Sequence, residues 1–484
     1  MAKDDDQEDL LFDTLTTQKW RKRFLATIGL VFLLLLVVGM VFTGIYIGYY
    51  SKDNPEPQPS SLLCPGLPDA CVFQLVESIP ENLTYAGKYQ PSHASTFQGI
   101  QQLIAMATDT IEIASFYWTM TNNDLPVQDP SSWQGEQLFK DLVFAGSVKN
   151  IKIRIVQSKP EGGGPVNDTL YLAKNANADV RTIDFAHLFG SGILHTKMWL
   201  IDRKHFYVGS ANLDWRSFTQ VKEMGATIQQ CSCLAADMGK IFDAYWYLAV
   251  PDAAVPSKWP NSFNTAYNAD NPMVVDFNGS NYQTFLSSSP PPLCPSGREK
   301  DGDAIVGIIN EAQQYIHIAV MDYFPTTQFT KPRTYWPVID DALKAAAFNR
   351  RVQVRLLVSY WNNTWNEMFL YLHSLQDLQT YKPFLKINID VKLFVVPAYT
   401  DAQRNIPFSR VNHNKYMVTE KTAYIGTSNW SGDYFITTGG IGLAIHGSSL
   451  GNHSDIRQQL EDVFQRDWYS EHAFSLDHFN NTMS

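Results

Sequence analysis

Two stretches of this sequence place a lysine two residues after a histidine. The first reads His195-Thr196-Lys197-Met198-Trp199-Leu200-Ile201-Asp202 and, six residues on, Gly209-Ser210-Ala211-Asn212. The second reads His413-Asn414-Lys415-Tyr416-Met417-Val418-Thr419-Glu420 and, five residues on, Gly426-Thr427-Ser428-Asn429. Both runs read as strands, on which residues two apart face the same side, so each histidine should point with its lysine. The Gly-led turns add neutral donors, Ser210 and Asn212 in one copy, Ser428 and Asn429 in the other. Brought together, the copies would supply two imidazoles, two ammonium groups and several amide or hydroxyl donors. That set suits phosphoryl transfer, in which positioning and charge stabilisation carry most of the catalysis. One imidazole can attack phosphorus while the other protonates the leaving oxygen. The lysines and asparagines would neutralise the non-bridging oxygens, so the expectation is chemistry without a metal or other cofactor. A lone His-x-Lys is ordinarily a strand with half-exposed polar residues; two copies with matched turns point to function.

The elements that must position these groups also occur twice. Thr110–Tyr117 is answered by Tyr315–Asp322, Ile151–Val156 by Val352–Leu357, and Ala178–Arg181 by Ile389–Lys392. These runs are short and rich in β-branched residues, and helical stretches at Gly135–Ala145 and Val338–Phe348 separate the first two of each set. Strands alternating with helices predict an α/β fold, here duplicated. Two mixed, mostly parallel sheets flanked by helices should meet at a pseudo-twofold interface. The chain of 484 residues is too long for one ordinary core. The run Ser287-Ser288-Ser289-Pro290-Pro291-Pro292 marks the break, giving halves at 71–286 and 287–484.

Ahead of the first half the sequence changes character. Residues Phe24 to Tyr50 carry no charge, and about 20 residues already cross a ~30 Å hydrocarbon core. A single transmembrane signal-anchor helix is therefore expected at 24–50, after a tail at 1–23 and before a Pro-rich stalk at 51–70. Lys19, Arg21, Lys22 and Arg23 precede the span, which places the N-terminus in the cytosol. The tail holds Asp6-Gln7-Glu8-Asp9-Leu10-Leu11, similar to an acidic dileucine signal for adaptors. Asn-x-Ser/Thr sequons at Asn82, Asn167, Asn278, Asn362, Asn429, Asn452 and Asn480 all follow the span, as expected of a luminal glycoprotein. Cys64, Cys71, Cys231 and Cys233 suit two disulfides in an oxidising compartment, with the pairing open and Cys294 left over. A C-x-C pair with a distant C-x6-C lacks ordinary zinc spacing. Net charge is −10, so no broad basic surface advertises nucleic-acid binding, and any phosphate must be met by a local cluster of cations.

The duplicated histidine motif resembles that of the phospholipase D superfamily. Ala114-Ser115-Phe116-Tyr117-Trp118, the run Gly209–Ser217 and the run Arg410–Glu420 are similar to its type II membrane branch, family members three and four. The resemblance covers nearly all of the luminal region. It implies a lysosomal 5′-to-3′ exonuclease on single-stranded DNA and RNA, working at acidic pH through a phosphohistidine. By position, His195, Lys197 and Asn212 would form one half-site, and His413, Lys415 and Asn429 the other. In the superfamily a Glu eleven residues beyond the Asn can orient a histidine; here that is Glu223, while the second half has Gly440. His195 is taken as nucleophile and His413 as acid. Asp202 and Glu420 are the motif carboxylates. The Glu at 420, with its shorter spacer, departs from the general motif and puts efficient lipid hydrolysis in doubt. Asn429 opens a sequon and should stay unmodified, since a glycan would block the site.

Exonuclease action needs bases to stack, and Tyr117, Trp118, Phe329 and Trp336 are candidates, with Ser210 and Ser428 as phosphate donors. Expected partners are single-stranded nucleic acid, the membrane through the N-terminal helix, adaptors on the tail, and a second copy in a homodimer. Delivery through the endoplasmic reticulum and Golgi to late endosomes or lysosomes follows from the anchor and the resemblance, with proteolytic release left open. Two other readings are phosphatidyl transfer or hydrolysis on lysosomal lipids, and a non-catalytic membrane glycoprotein.

Overall fold

Strands form where β-branched residues cluster. In the computed structural model, which describes residues 70–87, 91–160, 166–447 and 455–482, Thr110–Ser115, Lys152–Ser158 and Ala178–Ile183 pair in parallel. Tyr315–Val320, Gln353–Ser359 and Ile389–Phe394 repeat this arrangement. The helix Trp133–Ser147 makes the crossover in the first set, burying Leu138 and Leu142. The expected tail, membrane helix, all of the stalk before Ala70, Cys64 and Asn452 lie outside the described residues, as does the side chain of Asn480.

The sheets are mixed, and the strands next to the histidines run against the expectation of mostly parallel pairing. Met198–Ile201 is antiparallel to both Thr110–Ser115 and His205–Gly209, which is antiparallel in turn to Glu223–Gln229. Lys415–Thr419, Thr422–Gly426 and Gly440–His446 do the same in the second half. Asp202–Lys204 and Glu420–Lys421 are too short to hold a crossover, so each motif strand must turn back as a hairpin. Among the described residues the first sheet has eight strands and the second ten. The second begins at Met273–Phe277 and Ser280–Ser289, so the break expected at residue 287 falls inside a strand. Its serines are buried ladder residues: Ser287 Oγ donates to Asp301 (2.7 Å) and Ser289 Oγ to the Thr438 carbonyl (2.9 Å). Composition alone made them look like a linker.

Each sheet has its own hydrophobic cluster, and a third is shared. Leu75, Val208 and Ile228 from the first sheet pack in one cluster with Tyr416, Ile425 and Leu443 from the second. Burying one such side chain contributes about 1.5–3 kcal/mol, so the common core couples the halves firmly. Two isolated parallel bridges stitch the same interface, Leu194 with Gly439 and Asn412 with Lys222. Gly439 and Lys222 each stand ten residues beyond their half's asparagine, so the bridges are copies of one contact related by the duplication. A disulfide joins Cys71 to Cys231, Cys233 is also disulfide-bonded, and Cys294 is a free thiol beside Ser288.

Candidate active site

The two bridges deliver the histidines. His195 N–H donates to the Gly439 carbonyl and His413 N–H to the Lys222 carbonyl, both at 2.8 Å. His195 and Lys197 therefore lie in extended chain just ahead of Met198–Ile201, while Lys415 opens its strand with His413 two residues before it. The sequence reading put all four on strands; the contact across the halves takes the backbone that a ladder would have used. Each lysine turns back onto its own histidine's carbonyl, Lys197 Nζ at 2.5 Å and Lys415 Nζ at 2.6 Å. All four side chains are buried.

The histidines differ in what holds the ring. His195 Nδ1 lies 2.8 Å from the Thr427 carbonyl, which can only accept, so Nδ1 carries a hydrogen and Nε2 of the neutral ring keeps its electron pair. His413 Nδ1 meets Glu223 at 2.9 and 3.1 Å, a carboxylate supplied by the opposite half. The position matching Glu223 is Gly440, and among the described residues no carboxylate meets the His195 ring. A Cβ on Gly440 would lie 2.2 Å from Ser428 Oγ.

Protonation follows these surroundings. Burial, then Lys197, Lys415 and His413, hold His195 well below its usual 6.5. Burial also lowers His413, and Glu223 pulls it partly back. Lys197 is driven well down by burial and by Lys415. Lys415 falls to about 7 through burial, against the pull of Glu223 and Asp322. A phosphodiester anion entering this cluster would favour every one of the charged forms.

Aromatic and amide groups complete the site. Phe116 packs on His195 (ring centroids 5.6 Å) and under Lys197, and Tyr434 meets His195 edge-on at 5.0 Å. Asn212 Nδ2 reaches the Tyr117 hydroxyl at 3.4 Å, and that hydroxyl donates to Asp214 at 2.8 Å. Asn429 Nδ2 donates to Asp322 at 3.2 Å and to Tyr434 at 3.1 Å. Phe329 is 56% exposed and stands edge-on to Trp365 and Tyr434. The backbone under Phe329 is tied down by Asp433, which accepts from the amides of Gln328, Phe329 and Thr330.

Residues 87–399 match the family described as PLD3/4, PLD-like domain. This chain belongs to that family. The 5′-3′ exonuclease PLD3 of Xenopus tropicalis is 48% identical over 417 residues, covering 86% of this chain and 82% of the relative. The Homo sapiens PLD3 exonuclease is 44% identical over 458 residues, covering 93% and 89%. The Mus musculus exonuclease PLD4 is 45% identical over 415 residues, covering 84% and 80%. Among solved structures, the phosphatidylserine synthase of Haemophilus influenzae Rd KW20 matches 81% of this chain and 88% of its own at 14% identity and a TM-score of 0.52, a likeness of fold.

Within this PLD-like fold, several residues expected at the site do something else. Ser210 Oγ is spent on the neighbouring strand, accepting from Met224 N–H at 2.9 Å and donating to its carbonyl at 3.1 Å. Thr427, rather than Ser428, makes the matching contact, accepting from Ile441 N–H. Ser428 Oγ is buried near Asp301, without a hydrogen-bond partner among the described residues, so only Ser210 is seen to be spent. Trp118 is buried with its indole N–H on Ser115, and Trp336 stacks on Phe435 at 5.2 Å; both serve packing. Of the four expected base-stacking rings, Phe329 alone is largely exposed, and Tyr117 holds Asn212.

The motif carboxylates stand apart from the chemistry. Asp202 accepts from the backbone amides of Thr108, Asp109 and Thr110, and Glu420 from those of Gln313, Gln314 and Tyr315. The longer glutamate side chain serves a hairpin turn one residue shorter. The change from Asp to Glu thus goes with the length of the turn. Of the sequons, Asn82, Asn167, Asn278 and Asn362 are exposed, while Asn429 is buried with its Nδ2 bonded to Asp322 and Tyr434. Tyr434, Trp365, Asp322 and the Thr427 carbonyl are not among the sequence candidates, and Phe116 enters there only within the run Ala114–Trp118. Only Asp322 offered a signal, since it answers Tyr117 in the duplicated strand pattern.

Proposed function

We propose that this chain is a 5′-3′ exonuclease that hydrolyses phosphodiester bonds of single-stranded DNA and RNA through a phosphohistidine. The observation that carries this reading is the convergence of two His–Lys–Asn sets across the halves, with a carboxylate on only one histidine. The names of the relatives supply the direction of attack. His195, neutral and with Nε2 free, is the nucleophile. Its attack on phosphorus forms the N–P bond as the leaving 5′-oxygen takes a proton from His413 Nε2. Glu223 stabilises the imidazolium that gives this proton. His413, now neutral, takes a proton from water as the water's oxygen attacks phosphorus and releases His195. Lys197, Lys415 and Asn212 face the charge on the phosphoryl oxygens. Because His195 stays neutral well below pH 6.5, the nucleophile survives in an acidic lumen.

Phe329 is assigned to stack the terminal base. Its exposed ring leads through Tyr434 to His195, and base–aromatic stacking contributes about 1–3 kcal/mol. Delivery to late endosomes or lysosomes as a type II membrane glycoprotein rests on the uncharged segment, its basic flank, the dileucine tail and the sequons.

The test uses full-length protein in mild detergent near pH 5 with EDTA. Substrates are end-labelled single strands bearing 5′-hydroxyl or 5′-phosphate, with His195→Ala as control. Stepwise loss from the 5′ end, absent in the variant, is expected. Turnover of phosphatidylcholine or phosphatidylglycerol with no cleavage of any strand would replace this reading with a lipid phosphodiesterase. Inertness toward both by folded protein would overturn the assignment of an enzyme.

A further inference from the structure

Asp322 is a buried carboxyl inside the second half-site that the histidine motif does not include. It follows the strand Tyr315–Val320 at the place where Tyr117 follows Thr110–Ser115 in the first half. The two positions do the same job with different chemistry. Tyr117 offers a phenol oxygen to the Asn212 amide, and burial first, then Asp214, keeps that phenol neutral far into the alkaline range. Asp322 offers a carboxyl oxygen to the Asn429 amide.

Counting hydrogens shows the consequence. A side-chain amide has two N–H donors and one acceptor oxygen. Asn429 spends one N–H on Asp322 Oδ2 and the other on the Tyr434 hydroxyl, while its Oδ1 is buried without a partner among the described residues. In this state Asn429 has no hydrogen left for a phosphoryl oxygen. A carboxylate here also competes with substrate for the charge of Lys415. We propose that Asp322 is a positioning residue that switches the second half-site: as carboxylate it withholds the Asn429 amide and screens Lys415, and as carboxylic acid it frees both for the phosphate. The acid can donate its own O–H to Asn429 Oδ1, turning an amide N–H toward the incoming anion. One proton taken up at Asp322 thus exchanges an internal contact for a substrate contact, with no covalent change.

The groups around Asp322 permit this titration. Lys415, from the strand Lys415–Thr419, is the cation acting on it, and no lysine or arginine forms an ion pair with it among the described residues. Tyr434, from the helix Gly432–Ile436, stays neutral because burial and then Asp322 raise it. The Trp430 amide donates to the backbone carbonyl of Asp322 and leaves the carboxyl alone. Burial lifts Asp322 to about 6, against the pull of Lys415, within reach of an acidifying compartment.

This inference rests on the phosphodiesterase reading but not on which phosphodiester is cleaved. The experiment measures kcat/KM from pH 4.5 to 8 for full-length wild type, Asp322→Asn and Tyr117→Phe. It is run on a single-stranded oligonucleotide and, in parallel, on bis(p-nitrophenyl) phosphate. Wild-type activity should fall above about pH 6, by up to about tenfold per pH unit. Asp322→Asn, which keeps a donor for Asn429 Oδ1 at every pH, should hold its activity at pH 7.5 at least about tenfold better relative to its own value at pH 5. Tyr117→Phe should leave the shape of the profile as in wild type. Asp322→Ser is the second neutral variant and should show the same flattened limb if Asp322→Asn folds poorly. Profiles of the neutral variants that superimpose on wild type would overturn the switch. So would folded neutral variants that are inactive at pH 5, since the carboxylate itself would then be required. A wild type that turns over the small diester and cleaves no strand refutes the nuclease reading alone.

Discussion

The two half-sites share a backbone plan and diverge in charge. Each histidine is pinned by the opposite half at 2.8 Å, and each lysine folds back on its histidine's carbonyl. Around that common frame, His195 rests on a carbonyl and His413 on a carboxylate, while Asn212 answers to a phenol and Asn429 to a titratable acid. Duplication copies geometry cheaply, but a nucleophile and an acid need opposite protonation at one pH. The divergence lies where that requirement falls, in the partners of the rings and amides.

The strongest way to break this comparison is to remove each histidine in turn. His195→Ala and His413→Ala should each lower oligonucleotide turnover by about 10⁴-fold or more. They should part on a nucleoside 3′-(p-nitrophenyl phosphate), whose leaving group needs no proton. His413→Ala should still accumulate a protein carrying the nucleoside 3′-phosphoryl group on a histidine, visible by intact mass as p-nitrophenolate leaves, and His195→Ala should not. The opposite pattern would exchange the two roles. Glu223→Gln should cost about 10²–10³-fold in kcat and move the limb that reports protonated His413 to lower pH, because the group pulling its pKa upward is gone. An unchanged limb would mean that Glu223 only aligns the ring.

Smaller effects sharpen the contrast through stability. The folded-state pKa of Asp322 is raised from 3.8 to about 6, so the protonated form is favoured by folding. Its contribution is full below pH 3.8 and is lost as pH rises through about 6, a difference of about 3 kcal/mol. Asp322→Asn should therefore raise Tm at pH 7.5 relative to wild type, with the gain shrinking toward pH 4; Tyr117→Phe should show no such slope. Asp202→Asn and Glu420→Gln weaken matching sets of backbone bonds, and each should cost about 1–3 kcal/mol in chemical denaturation with kcat per folded molecule unchanged. A loss of kcat in either would return the motif carboxylate to the chemistry.

The sequence showed what repeats. The His-x-Lys pairs, their asparagines and the three strands of each half were legible because duplication prints each signal twice. It also showed that Glu223 has no counterpart, since Gly440 stands eleven residues beyond Asn429. What it hid was partnership across the halves. Nothing in local pattern says that Glu223 serves the histidine 190 residues away rather than its neighbour. Nor does spacing reveal that the Ser210 hydroxyl is consumed by a strand edge, or that a Ser-rich run is buried ladder. Phe116 and Tyr434 read as ordinary core aromatics until the twofold brings them against His195.

The bridges Leu194–Gly439 and Asn412–Lys222 give the enzyme an all-or-nothing character. Each histidine's backbone N–H and ring Nδ1 are held from the opposite half, so opening the interface strips both rings of their partners together. A lone half lacks its histidine's ring partner, the Thr427 carbonyl or Glu223, so a misassembled copy is expected to be silent rather than indiscriminate.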